Sequence, residues 1–142
     1  MEKISDNEME FFVFLRKNSF NEYNPQNKKF KKVLANYKWY GLKEQILFPL
    51  QLKKYKLDLM HFTHFNVPIL YRKKFIVTIH DVILRYFPVR KDIKFWAYKI
   101  VFKYAIKNSQ KIIAISEYTK GDILKYYPIN SDKIQVIYEG IS

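Results

Sequence analysis

The sequence predicts an α/β fold: a mostly parallel sheet with helices on both faces. Three observations lead there. Phe75–Ile79 (FIVTI) and Lys111–Ile115 (KIIAI) are short, nearly continuous apolar runs rich in β-branched residues, as strands buried on both faces should be. Segments of helical length lie between such runs, which is the alternation of βα units. Polar or titratable residues follow several runs directly, and an open α/β sheet meets its ligands beyond the carboxyl ends of its strands.

Taken in order, Glu10–Leu15 (EFFVFL) reads as a short strand and RKNSFNEYNPQNKK as a polar connection. A second strand is expected at Phe30–Ala35. Leu42–Lys54 carries apolar residues at helical spacing, with Pro49 as a kink or break. Asp58–Phe62 (DLMHF) is the third strand and Phe75–Ile79 the fourth. Asp92–Asn108 is a long helix opened by an acid, favourable at a helix N-terminus. Lys111–Ile115 is a strand, Glu117–Tyr127 a helix stopped by Pro128, and Lys133–Tyr138 (KIQVIY) the last strand. No internal repeat or low-complexity linker divides the chain, so residues 1–142 are expected to form one domain.

Composition narrows the function classes. With 49% apolar and 18% aromatic residues the chain has material for a core, which argues against wholesale disorder. The absence of cysteine removes disulfides, thiolate metal sites and a thiol nucleophile. The polar start MEKISDNEME has no apolar signal segment, and no window approaches the ~18 apolar residues of a membrane span. A cytoplasmic location is expected. The net charge of +13 favours anionic partners, and nine lysines against one acid, Glu44, fall between Lys28 and Lys56. A solvated lysine surface is the plain alternative.

The strand ends carry the candidate site. His61, His80–Asp81 and Ser116–Glu117 all fall at or just past predicted strands, so one rim should gather them. The three histidines, His61, His64 and His80, lie within twenty residues, yet no acid or thiolate at suitable spacing joins them, and no metal site is expected. Ser116 is a plausible helix N-cap with Thr119 in the first turn. Lys99, Lys103 and Lys107 form a stripe on the long helix with Trp96 among them. Lysines beside an exposed indole suit a membrane interface, and peripheral contact through 92–108 is expected; packing against a neighbour is the alternative.

The order of DLMH (Asp58–His61), VTIHD (Val77–Asp81), ISEYTKGDIL (Ile115–Leu124) and IYEG (Ile137–Gly140) resembles the N-terminal domain of GT-B glycosyltransferases of the family 4 type. WYGLKEQILFPLQLKK before DLMH is similar too, and the resemblance runs from about Phe11 to Ser142. It implies a Rossmann-like domain, one of two facing across a cleft. The implied activity is retaining transfer of a sugar from a nucleotide-sugar to an acceptor, such as a lipid-linked or cell-envelope glycan. No cofactor or required metal is implied. His80 matches the family histidine that points into the cleft and contacts the sugar or its leaving phosphate; a structural histidine satisfied by a loop carbonyl is the alternative. On the same resemblance Asp81 organises the loop, His61 and His64 line the acceptor side, and Ser116, Glu117 and Thr119 present a helix N-terminus to phosphate.

Two departures qualify the match. Gly41, Gly121 and Gly140 are the chain's three glycines, so the family's Gly-rich first loop has no counterpart, and nothing corresponds to its C-terminal donor domain. The sequence therefore reads as one incomplete half of a GT-B fold, expected to be inactive alone and prone to self-association. A nucleic-acid or partner-protein binding module is the competing class. Against nucleic acid, the aromatics lie in apolar runs rather than interleaved with basic residues as a stacking platform.

Overall fold

The computed structural model describes residues 9–38, 41–82 and 93–140. The expected acidic helix start at Asp92 and most of the polar N-terminus lie outside the described residues. The fold is described in two compact units, one through Glu44 and one from Gln45.

In the first unit β1 (Phe11–Leu15) pairs in parallel with β2 (Phe30–Leu34), Phe11 opposite Phe30 and Leu15 opposite Leu34. The Phe11 and Phe30 rings stack at 4.7 Å. The connection read as purely polar contains a short helix, α1 (Lys17–Glu22). Its sequence has no side-chain N-cap, and what completes it is remote. The Lys32 ammonium, on β2, donates to the carbonyls of Phe20 (3.1 Å) and Tyr23 (3.0 Å), satisfying acceptors that a helix C-terminus leaves open.

Helix α2 (Leu42–Lys53) crosses the boundary between units and runs through Pro49 instead of ending there. The proline forgoes one bond, to the carbonyl of Gln45, and its buried ring stays in the helix.

The second unit is a four-stranded parallel sheet in the order β3-β4-β5-β6, formed by Met60–Phe62, Phe75–Ile79, Lys111–Ala114 and Ile134–Val136. Phe62, Val77, Ile112 and Ile134 line up across it, as do Ile79, Ala114 and Val136. Every one of these except Val136 is buried. Helices α3 (Ile93–Asn108) and α4 (Glu117–Tyr126) link β4 to β5 and β5 to β6. Phe102 of α3 meets Phe65 of the β3–β4 loop at 5.1 Å and Tyr127 after α4 at 5.4 Å, which ties loop and helices into one layer.

The two faces of the sheet are unequally covered. Phe75, Val77 and Ile79 are buried, while Ile76 and Thr78 between them, with His61 and Ile113 alongside, are half-buried. Sequential strand order explains the bias, because crossovers of one hand advancing in one direction leave their connections on one side.

Helical spacing in the sequence puts Ile93, Ala97, Ile100, Val101 and Tyr104 on one face as the expected core stripe of α3, and of these Val101 belongs to the buried stripe. That stripe runs through Tyr98, Val101, Phe102, Ala105 and Ile106, and Ile100 is 60% exposed. The larger aromatic stripe wins the sheet, and Ile100 turns outward beside Trp96.

Two further lysines close the sheet's lower end. Lys133 donates to the carbonyl of Lys107 at the end of α3 (2.9 Å), and Lys111 donates to the carbonyl of Asp132 (2.8 Å). Burial pushes the Lys133 ammonium's pKa down.

Candidate functional site

The carboxyl ends of β3, β4, β5 and β6 share one rim because all four strands run parallel. Beyond Phe62 come Thr63 and His64; beyond Ile79 come His80 and Asp81; beyond Ala114 comes the Ser116 cap; beyond Val136 comes Glu139. The side chains that meet there come from segments far apart in sequence.

His80 is the centre. Its Nε2 lies 2.9 Å from the Thr63 carbonyl oxygen and its Nδ1 2.9 Å from Glu139 Oε1, with the ring 40% exposed. The loop-carbonyl contact posed as the structural alternative is therefore made, and a carboxylate contact is added to it. The His80 backbone carbonyl accepts from Thr119 Oγ1 at 3.1 Å.

Ser116 caps α4 as its position in the sequence suggested. Its Oγ accepts from the Thr119 amide at 3.1 Å and lies 3.0 Å from Thr119 Oγ1. Thr119 Oγ1 spends its proton on His80, so the Ser116 hydroxyl donates to Thr119, and the chain of bonds closes. Thr119 is buried although polar, and this network is why it is tolerated there. Glu117 opens α4, exposed, where a carboxylate suits the helix N-terminus.

His64 stands beside this group, its ring 6.2 Å from that of His80 and 4.1 Å from Phe65. Its Nδ1 accepts from the Asn66 amide at 3.3 Å, which leaves the ring proton on Nε2. Burial pulls its pKa below the ordinary histidine value; the nearby His80 adds to that, and Asp81 opposes it. His64 is thus a neutral imidazole with one N–H near His80, and Asp81 acts on it through charge.

His61 is not on the rim. It sits inside β3, and its Nε2 meets Thr78 Oγ1 at 2.8 Å across the half-covered sheet face. Strand β3 spans Met60–Phe62, so His61 lies within it, one residue before its carboxyl end, and is engaged by Thr78 on the sheet face. Burial lowers its pKa as well. The described contacts therefore tie His64, His80, Ser116 and Thr119 together at the rim, with Asp81 and Glu117 beside them in the chain, and leave His61 on the sheet face.

Glu139 and the Thr63 carbonyl were missed from the sequence. Glu139 lies inside the IYEG phrase, and its signal was available: it is an acid just past the last strand. A backbone carbonyl carries no signal at all. Among the described residues no group of three or more His, Cys, Asp or Glu is arranged to hold a metal ion, and no helix is long and apolar enough to cross a membrane.

Chemically, imidazole rings and a capped helix N-terminus within one small patch suit an oxygen-rich, anionic ligand, while the Glu139 carboxylate faces the His80 ring.

The sequence profile of Glycosyltransferase Family 4 matches residues 8–142. The O-antigen chain mannosyltransferase RfbU of Salmonella typhimurium is 26% identical over 104 residues. That alignment covers 73% of this chain but 29% of the relative, so the chain spans well under half of that protein's length. A parallel α/β unit with its polar rim, matched over nearly its whole length by one profile, identifies the chain as a member of glycosyltransferase family 4.

Proposed function

We propose that this chain is the acceptor-side, N-terminal domain of a retaining glycosyltransferase that moves a sugar from a nucleotide-sugar to a glycan or lipid-linked acceptor. The observation that carries the reading is the convergence of His80, His64 and the Ser116–Thr119 cap at the carboxyl rim of a parallel sheet in a chain of this family. His80 is assigned to the donor's phosphate or sugar oxygens and His64, with its Nε2–H, to the neighbouring substrate hydroxyls. Ser116, Thr119 and Glu117 order the helix end that faces them, and Asp81 holds the loop. His61 moves from the acceptor wall to a supporting role, because Thr78 already occupies it. No resident metal or cofactor enters the proposal; the nucleotide-sugar is a substrate.

The relative is a mannosyltransferase acting on an O-antigen chain, which makes nucleotide-linked mannose the first donor to try. The test measures sugar transfer with the remainder of the enzyme supplied, comparing wild type with His80→Ala. A loss of roughly a hundredfold or more is expected from removing a group that donates to the reacting oxygens. Equal rates would take His80 out of the site. The competing non-catalytic binding module is not favoured, since the family match supports the transferase domain.

The finer partner is a membrane surface on the cytoplasmic side. Trp96 (54% exposed), Ile100, Lys99 and Lys103 of α3 line a shallow groove with Tyr126, Tyr127 and Pro128, and the Lys99 ammonium sits 4.8 Å over the Trp96 ring. An apolar strip flanked by cations fits headgroups with acyl chains beneath. Co-sedimentation with vesicles of phosphatidylcholine and phosphatidylglycerol should capture the chain. Trp96→Ala with Lys99→Gln should release most of it, and unchanged capture by that variant would end the assignment.

A further inference from the structure

Both ring nitrogens of His80 face oxygen atoms that only accept. Nε2 points at the Thr63 carbonyl and Nδ1 at the Glu139 carboxylate, each at 2.9 Å. A peptide carbonyl and an ionised carboxylate have no proton to give. A neutral imidazole could satisfy one of these contacts and would turn a lone pair toward the other. The doubly protonated ring satisfies both.

The clamp is assembled from separate strands. Thr63 follows β3, His80 follows β4 and Glu139 follows β6. The Glu139 segment is itself anchored, because the Ile137 amide donates to the Ala114 carbonyl of β5 at 2.9 Å. The His80 backbone is fixed from α4 by Thr119. Among the described residues, the charged or titratable groups near the ring are His64 from the β3 exit, Asp81 next in the chain and Glu139 itself. Of these, Glu139 touches a ring nitrogen.

We propose that Glu139 is a positioning residue, which orients the His80 ring and holds it as a two-proton cation at the sheet rim. Its identity as part of a phosphate-binding rim rests on the transferase reading above; the clamp itself does not. An anionic oxygen that displaces one of the two acceptors meets an N–H already in place, with no proton to be taken up first. Glu139 need not touch the ligand, and its effect passes through His80.

The test reads the ring directly. In the 15N-labelled chain near neutral pH, long-range proton–nitrogen spectra report whether each histidine nitrogen carries a proton. One ring should show both nitrogens protonated, and His80→Gln should remove that signal and so assign it. Glu139→Gln keeps the size of an exposed side chain, so the backbone amide spectrum should stay in place while the His80 ring loses one proton. Glu139→Asp should restore it. A His80 ring that is neutral in the wild type, or one that keeps both protons in Glu139→Gln, overturns the proposal. Inorganic pyrophosphate added to the wild type then separates the two ideas. Shifted His80 nitrogens support the ligand reading, whereas unmoved nitrogens beside an intact Glu139 effect would defeat that reading alone.

Discussion

The two units use the same parallel pairing to very different effect. In the first, β1 has five consecutive half-buried residues, and among the described residues Phe30 and Ala35 are the buried apolar side chains. In the second, Phe75, Val77, Ile79, Phe102, Ala105, Ile106, Ile112, Ala114 and Ile123 are each at most 1% exposed. A pair of strands has two open edges and little to bury, whereas four strands under a helical layer close a core. Precision follows from this. The rim that orders His80, Thr119 and Glu139 is built on the well-packed sheet, where strand ends have little freedom.

The largest test of this contrast is Phe102→Ala. Removing a fully buried ring that joins loop, α3 and the end of α4 should cost about 3–5 kcal/mol in denaturant unfolding. Phe11→Ala, which removes a stacked ring from half-buried β1, should cost clearly less. Equal losses would break the comparison.

Acid should come next and act on the second unit. His61 and His64 both have pKa values lowered by burial, so the unfolded chain binds protons that the folded chain resists. The stability they contribute is complete above the unfolded histidine pKa, about 6.5, and is lost as pH falls through the lowered folded values. Thermal unfolding followed across that window should show the decline, and His61→Gln should flatten it. A decline that survives both His61→Gln and His64→Gln would point to other groups.

Ser116→Ala removes the α4 cap and should cost about 1 kcal/mol, with faster amide exchange at Thr119 and Lys120. The smallest effect belongs to the first unit. Lys31 and Glu10 form an exposed ion pair at 2.6 Å, and Glu10→Gln should change stability by less than about 1 kcal/mol, an effect that vanishes in high salt. A larger loss would mean the small sheet depends on its surface more than its burial suggests.

Much of this was legible before the structure. FIVTI spans the strand Phe75–Ile79 residue for residue, since a run that must be apolar throughout leaves its ends visible. The Ser116 cap was legible because capping is a local chemistry of a few residues. Elsewhere the deciding partner was remote. α1 is completed by a lysine on β2, and the His80 clamp draws on a carbonyl and an acid from other strand exits. The α3 stripe was misread for a different reason. Apolar residues cover most of that helix, so periodicity did not choose between Ile100 and Phe102; volume against the sheet did.

The lysines that donate to backbone carbonyls change what the charge of +13 means. Lys32, Lys111 and Lys133 are committed to Phe20, Tyr23, Asp132 and Lys107, so their ammonium groups act as structural donors. An acylating reagent should therefore sort the lysines into two populations. Those on the open face of α3 would react quickly and merely lose charge. Modification at Lys133 would remove the donor that closes the end of α3 and so loosen the last turn of that helix.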